Sequence, residues 1–336
     1  MKKEAMLYEK LDNNMVHCYL CGHQCKIAEG KAGICLVRKN EAGTLFSLVY
    51  RNAIATNVDP IEKKPLYHFS PGTQSFSIAT AGCNFRCGFC QNWEISQMNI
   101  LEVPDYISRD LGPDAVVSGA IRKNCQSISY TYTEPTIYFE YAYDCAKIAR
   151  EKGLKNVFVT NGYMSKEALQ MIQPYLDAAN VDLKYFKDES YRKICAGSLQ
   201  PVLDSIRLMK ELGIWVEVTT LVVPGSNDSP EELKGIAEFL SSVDKFIPWH
   251  ISRFFPNYKF TDLDATPEAA LKIAEEIGYK AGLKYVYVGN VQGWGNDTRC
   301  HNCKKLLIKR EGFSIIENKV QEGKCAFCHE QIAGVF

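Results

Sequence analysis

An α/β fold built on a partial (β/α)6, TIM-like barrel is what this sequence predicts, with a small cysteine-rich unit before the barrel and a zinc-ribbon-like unit after it. Three observations lead there. Between residues 75 and 295, short apolar or β-branched runs alternate with longer amphipathic segments, the pattern of strand–helix repeats around a parallel sheet with right-handed crossovers. All of the fourteen cysteines except Cys125, Cys145 and Cys195 fall in three groups: Cys18 to Cys35, Cys83 to Cys90 and Cys300 to Cys328. With 336 residues, 46% of them hydrophobic, the chain can bury one large core or two. The expected division is 1–70 for the first cysteine-rich unit and linker, 71–295 for the barrel and 296–336 for the last unit.

The strands are expected in "SFSIATAG", "SISYTYTE", "NVFVTNG", "NVDLKYF", "WVEVTTLVVPG" and "KFIPWHISRFFP", with helices between them such as "PTIYFEYAYDCAKIAREKG" and "PEELKGIAEFLSSV". Pro135, Pro230 and Pro267 mark helix starts, and Gly153, Gly213 and Gly282 mark helix ends. An open doubly wound sheet is the competing architecture. In either, ligand-binding groups gather beyond the carboxy-terminal strand ends, where Cys83, Cys87, Cys90, Glu134, Thr160, Asn161, Asp182, Lys184 and His250 fall.

Lysine plus arginine (39) equal aspartate plus glutamate (39), which leaves no electrostatic footprint for nucleic acid or an anionic membrane. No apolar run approaches the ~18 residues of a membrane span, and no signal segment precedes the cysteines. A cytoplasmic protein that uses its thiols for metal or redox chemistry is the expectation.

"GCNFRCGFCQN" spaces its cysteines C-x3-C-x2-C. Three thiolates suit three irons of a cubane [4Fe–4S] cluster and leave the fourth iron open, whereas a structural zinc would lack its fourth ligand. The loop, with Phe89 before its last cysteine, resembles that of the radical S-adenosylmethionine (SAM) superfamily, where the cofactor chelates the open iron. "YTEPT", "TNG", "DLK", "VVPGSND" and "PWH" further resemble the activating enzymes of glycyl radical enzymes. That resemblance implies a cofactor-binding set of Phe89, Glu134, Thr160, Asn161, Asp182, Lys184 and His250, with Glu134 accepting from the cofactor ammonium and Lys184 holding its carboxylate. Tyr132 and Thr133 stand where the activases have two glycines, and Val159 where they have an aspartate. Singly, each residue has a plainer reading: Glu134 as a helix N-cap, Asp182 with Lys184 as an internal ion pair, His250 as a core histidine.

Over nearly its full length, through "CYLCGHQCKIAEGKAGICLVRKN", "PIEKKPLYHFSPG", "PWHISRFFPNYK" and "GLKYVYVGNVQGWGNDTRC" among others, the chain resembles the radical enzyme of the AmmeMemoRadiSam system. This implies reductive cleavage of SAM to a 5′-deoxyadenosyl radical that abstracts a substrate hydrogen, under anaerobic conditions. It also implies an external electron donor such as flavodoxin or ferredoxin, and partners carrying Memo and AMMECR1 domains. The substrate, protein or small molecule, is left open. A glycyl radical enzyme activase is the alternative, and a non-catalytic, metal-stabilised binding protein the second.

At the carboxy terminus, "CHNC" (Cys300, Cys303) and "CAFC" (Cys325, Cys328) form paired knuckles that predict a structural zinc. The set Cys18, Cys21, Cys25 and Cys35 lacks a second C-x2-C pair. Zinc is its first reading and an auxiliary iron–sulfur cluster the rival, with His17 or His23 able to replace one cysteine, so one or two zinc ions are expected in all. "DPIEKKPLYHF" reads as an extended, solvated linker whose Lys63, Lys64 and His68 could reach the barrel mouth. Cys195 is either a buried apolar thiol or a neighbour of the site, while Cys125 and Cys145 read as buried.

Overall fold

The computed structural model describes residues 1–102 and 108–336. Its largest sheet holds β1 (Ala55–Pro60), β2 (Gln74–Ala79), β3 (Ser127–Tyr130), β4 (Lys155–Thr160), β5 (Ala178–Asp182), β6 (Trp215–Val222), β7 (Trp249–Arg253) and β8 (Val286–Gly289). They lie side by side in chain order. Strands β2 to β8 are parallel, while β1 runs antiparallel to β2, with Ala55 opposite Ala79 and Pro60 opposite Gln74. Six helices alternate with the parallel strands: α1 (Pro113–Arg122), α2 (Phe139–Glu151), α3 (Lys166–Ile172), α4 (Leu199–Glu211), α5 (Pro230–Asp244) and α6 (Glu268–Lys280). The six strand–helix repeats are therefore present, but two further strands join them.

The interior strands are apolar on both faces. Val157, Phe158, Ala178, Ala179, Val216 and Val218 are fully buried, as a parallel sheet covered on both sides requires. Helix ends follow local chemistry. Ser229 caps α5 by accepting from the Glu232 amide at 3.2 Å, with Pro230 in the first turn, and Gly153 and Gly213 end α2 and α4 at φ +75° and +77°.

The segment expected to be a solvated linker is neither. Its first part, Asp59 and Pro60, belongs to β1, and Ile61, Glu62, Lys64, Leu66, Tyr67, His68 and Phe69 after it are buried. The main sheet thus begins at Ala55, ahead of the boundary at 70 that the composition suggests.

Before β1, two three-stranded sheets, Lys3–Glu4 with Arg38–Glu41 and Thr44–Ser47, and Tyr8–Lys10 with Val16–Cys18 and Cys25–Ile27, carry the first cysteines. They are tied to α2 by a buried ion pair: Arg38 donates to Glu140 at 3.0 Å, with side chains 2% and 0% exposed. Breaking such a pair from one side costs about 3–5 kcal/mol. After β8, Thr298–Arg299, Leu306–Glu311 and Ser314–Asn318 form a third small sheet. The tail returns to the start of the barrel, where the Val335 amide donates to His68 O at 2.7 Å and the Ser70 amide to Val335 O at 2.6 Å. No helix among the described residues is long and apolar enough to cross a membrane.

Candidate active site

A cavity of about 700 Å³ is lined by residues at the carboxy-terminal end of every parallel strand. Cys83 follows β2, Glu134 follows β3, Asn161 follows β4, Lys184 follows β5, Leu221 is in β6, Ser252 in β7 and Asn290 follows β8. One cavity reached by both the second and the last strand requires a curved sheet. Lys63, Lys64 and Tyr67 from the segment after β1 also line it, as do Asn296, Gly312 and Phe313 from the last unit.

The cysteine loop leaves β2 through Gly82, at φ +95°. A Cβ there would meet Val37 Cγ1 at 2.6 Å and Cys35 O at 3.1 Å, so only glycine lets the loop pass against the first unit. Cys87 is buried, Cys83 and Cys90 partly so, and all three face the cavity. The Phe85 amide donates to Cys83 Sγ at 3.3 Å, and Cys90 Sγ lies 3.2 Å from Ser96 Oγ. Burial pushes the Cys83 thiol well up; the Cys195 thiol, then burial, does the same to Cys87. Thiols so placed ionise readily only against a bound cation, and three soft donors with N–H and O–H partners suit an iron–sulfur cluster. The fully buried Cys195 thus neighbours the loop, while Cys125 and Cys145 are simply buried.

Glu134 is the hub of the next two strand ends. Its Oε1 accepts from the Thr136 amide at 3.0 Å, Thr136 Oγ1 at 2.6 Å and Thr160 Oγ1 at 2.7 Å, whereas Oε2 accepts from the Asn161 amide at 2.7 Å. The plainer N-cap role is therefore real, and Oε2 keeps acceptor capacity. Burial raises its pKa. Asn161 also donates to Asn84 Oδ1 at 2.7 Å, which joins this hub to the cysteine loop. Tyr132, in place of the activase glycine, holds φ +63°, a conformation that costs a non-glycine residue about 1–2 kcal/mol. Its hydroxyl donates to Asp59 and its ring lies under the Lys64 ammonium at 4.6 Å, which offsets that strain.

Lys184 pairs with Asp182 at 2.8 Å and sits 5.8 Å from the Phe89 ring centre. Burial opposes its charge, but Asp182 and the thiols of Cys87 and Cys195 raise its pKa well above the usual value. Lys63 and Lys64 reach the cavity yet are bound to Asp59, at 2.9 and 2.7 Å. His68 does not reach it. Fully buried, it contacts Ala333 O through Nδ1 at 2.7 Å and the Tyr287 hydroxyl through Nε2 at 2.5 Å.

His250 lines the cavity, and its Nε2 is 2.6 Å from Glu217 Oε2. Sequence reasoning missed Glu217. This fully buried carboxylate also accepts from the Tyr67 amide at 3.0 Å, the His68 amide at 2.8 Å and Trp215 Nε1 at 3.0 Å. An acid flanked by valines inside a β-run was the available signal, since a charge there needs a partner.

Cys300, Cys303, Cys325 and Cys328 bring their four sulfurs within 4.8 Å of one another, a spacing suited to one tetrahedral ion. Cys18, Cys21, Cys25 and Cys35 line a separate small cavity together with His23, Arg38 and Asn84. His17 is not among them and pairs with Glu9 at 2.8 Å.

The radical SAM superfamily model matches residues 77–240. An uncharacterised protein of Methanocaldococcus jannaschii is 48% identical over 334 residues, 98% of each chain. The pyruvate formate-lyase-activating enzyme of Clostridium pasteurianum is 21% identical over 58% of this chain and 86% of its own. Among solved structures, a radical SAM methyltransferase from Sphaerobacter thermophilus superposes with TM-score 0.52 at 16% identity, covering 66% of this chain and 67% of that one. The matched segment begins inside β2 and takes in the three-cysteine loop and the strand ends around Glu134, Asn161 and Lys184, and on that ground residues 77–240 carry a radical SAM domain.

Proposed function

We propose that this chain is a SAM-cleaving enzyme in which Cys83, Cys87 and Cys90 hold a [4Fe–4S] cluster and the 700 Å³ cavity beside them takes the cofactor and a substrate. The observation that carries this reading is the opening of three soft sulfurs onto the same cavity as the polar ends of the parallel strands. Bound together, cluster and cofactor supply a 5′-deoxyadenosyl radical by one-electron cleavage of the sulfonium bond. Glu134 Oε2 offers an acceptor to an ammonium. The Lys184 ammonium, kept protonated, offers a donor to a carboxylate, and Phe89 packs beside it. His250, held by Glu217, presents a fixed imidazole edge to the cavity.

The substrate is proposed to be something other than a glycyl radical enzyme. Val159 and Tyr132 depart from the activase pattern, and residues 62 to 65, 67, 296, 312 and 313 from outside the strand–helix core add to the cavity wall. The activase reading keeps the support of the Clostridium relative. Proteins with Memo or AMMECR1 domains, and a flavodoxin or ferredoxin donor, are proposed partners.

Anaerobic reconstitution with iron and sulfide, then dithionite and SAM, is expected to yield 5′-deoxyadenosine from the wild type and only background from Cys87→Ala. Equal yields from both would reject the proposal. A stoichiometric glycyl doublet by EPR on a candidate glycyl radical enzyme would favour the activase instead.

The four carboxy-terminal cysteines are proposed to hold structural zinc. Cys328→Ser is expected to lose about one zinc per chain and to loosen the wall formed by Gly312 and Phe313, raising the KM for substrate while uncoupled 5′-deoxyadenosine formation persists. Unchanged zinc content by elemental analysis would contradict this.

A further inference from the structure

We propose that Cys18, Cys21, Cys25 and Cys35 hold a second [4Fe–4S] cluster, with a cysteine on each of its four irons, and not a zinc ion. The proposal goes beyond the reading above, which concerns the central loop and the carboxy-terminal cysteines.

The two ends of the chain provide the comparison. A zinc ion held at about 2.3 Å by four thiolates sets their sulfurs about 3.8 Å apart. The carboxy-terminal set matches: Cys300 and Cys328 sulfurs are 3.6 Å apart, Cys303 and Cys325 sulfurs 3.7 Å. Among the described residues it is the only group of three or more candidate ligands with all its donor atoms within 4.8 Å. The amino-terminal four are spread more widely, as are the three of the central loop. A wider frame is what four irons and four sulfides need between the thiolates.

All four cysteines line one small cavity. The cavity is also lined by two buried donors without a partner, Arg38 Nε and Asn84 Nδ2. Their side chains are otherwise committed, Arg38 to Glu140 and the Met6 carbonyl, and Asn84 through its Oδ1 to Asn161. Cluster sulfides and cysteinyl sulfurs accept N–H bonds, and a guanidinium offsets the net negative charge of a tetrathiolate cluster.

The location suggests a use. Asn84 follows Cys83, its carbonyl accepts from His23 Nε2 at 2.7 Å, and Arg86 donates to the Ile34 carbonyl. The central loop thus contributes Asn84 to the wall of the amino-terminal cavity. A cluster without an open iron binds no substrate there. It can take one electron from a low-potential donor protein and pass that electron to the central cluster, returning to its oxidised state.

The test is metal content with Mössbauer spectroscopy on anaerobically prepared full-length protein. Wild type is expected to carry about eight irons, eight sulfides and one zinc, and the Cys83→Ala/Cys87→Ala/Cys90→Ala variant about four irons and four sulfides as a cluster whose spectrum SAM does not alter. About four irons and two zincs in wild type, or iron-free triple variant with two zincs, would overturn the proposal. Should a variant fail to fold, the wild-type iron and zinc counts decide alone. If the central loop binds no cluster, wild type holds about four irons and Cys21→Ser/Cys35→Ser loses them all. That outcome rejects the proposed function and supports this inference.

Discussion

Glu217→Leu is expected to lower the unfolding free energy by about 3–5 kcal/mol, because one buried carboxylate serves four donors and its removal strands them together. Two of those donors are backbone amides, Tyr67 and His68, which no side-chain substitution can remove. Glu217→Gln keeps the shape but presents an amide N–H₂ to two of the four, so an intermediate loss of about 1–3 kcal/mol is expected. The Glu217→Leu/His250→Leu double variant recovers only the imidazole's share. Urea denaturation of metal-loaded protein measures all three. Single variants within about 0.5 kcal/mol of wild type would mean that water, rather than the carboxylate, satisfies the segment after β1.

Stability is expected to fall by about 3 kcal/mol as pH drops from 7 to 4, and His68 is the main cause. Burial, against smaller effects of Glu217 and the Ala333 carbonyl, lowers its pKa from 6.5 to about 4. The unfolded chain therefore takes up a proton first. The stabilisation is complete above pH 6.5, where both states are neutral, and is lost as pH falls from there through the folded value. Glu217 extends the loss further into acid. Burial opposes its charge, but His250, His68 and Trp215 hold its pKa below the usual value, so its contribution disappears as the folded carboxylate protonates. The geometry explains why His68 resists its proton. Nδ1 donates to Ala333 O, so Nε2 accepts from Tyr287, whose oxygen accepts from Thr298, whose oxygen accepts from Arg310 Nη1. A second imidazole proton would face a donor and reverse the chain. Denaturation midpoints measured between pH 7 and 4 should flatten in His68→Gln; an unchanged slope would assign the acid sensitivity elsewhere.

Local signals carried much of this molecule. The six strand–helix repeats announced themselves through β-branched runs and proline and glycine punctuation. The strand-end rule placed Cys83, Glu134, Asn161, Asp182, Lys184 and His250 on one cavity. Strand β1 stayed hidden because "ATNVDP" has no run of buried apolar residues and ends in proline, as an edge strand does. β8, in "YVYVG", was not among the six strands expected, and no helix follows it in the sheet. Glu217 offered only the signal of an acid between valines, and His68 was expected at the cavity rather than in the core, because their main-chain partners lie about 150 and 265 positions away. Lys63 and Lys64 were correctly brought to the cavity, but their commitment to Asp59 depended on a strand that the sequence did not announce.

The pairing of Phe69 with Val335 also bears on the order in which the molecule assembles. Contacts this distant in sequence carry a large loop-closure entropy and form late, after neighbouring strands have zipped in chain order. Until then residues 61 to 69 lack their cover, and the cavity wall that includes Lys64 and Tyr67 stays unfinished. Before the tail docks, the open mouth of the sheet would give iron and sulfide a wider route to Cys83, Cys87 and Cys90. Protein that completes its tail before receiving iron and sulfide is therefore expected to load the proposed cluster more slowly than protein supplied with both as it refolds.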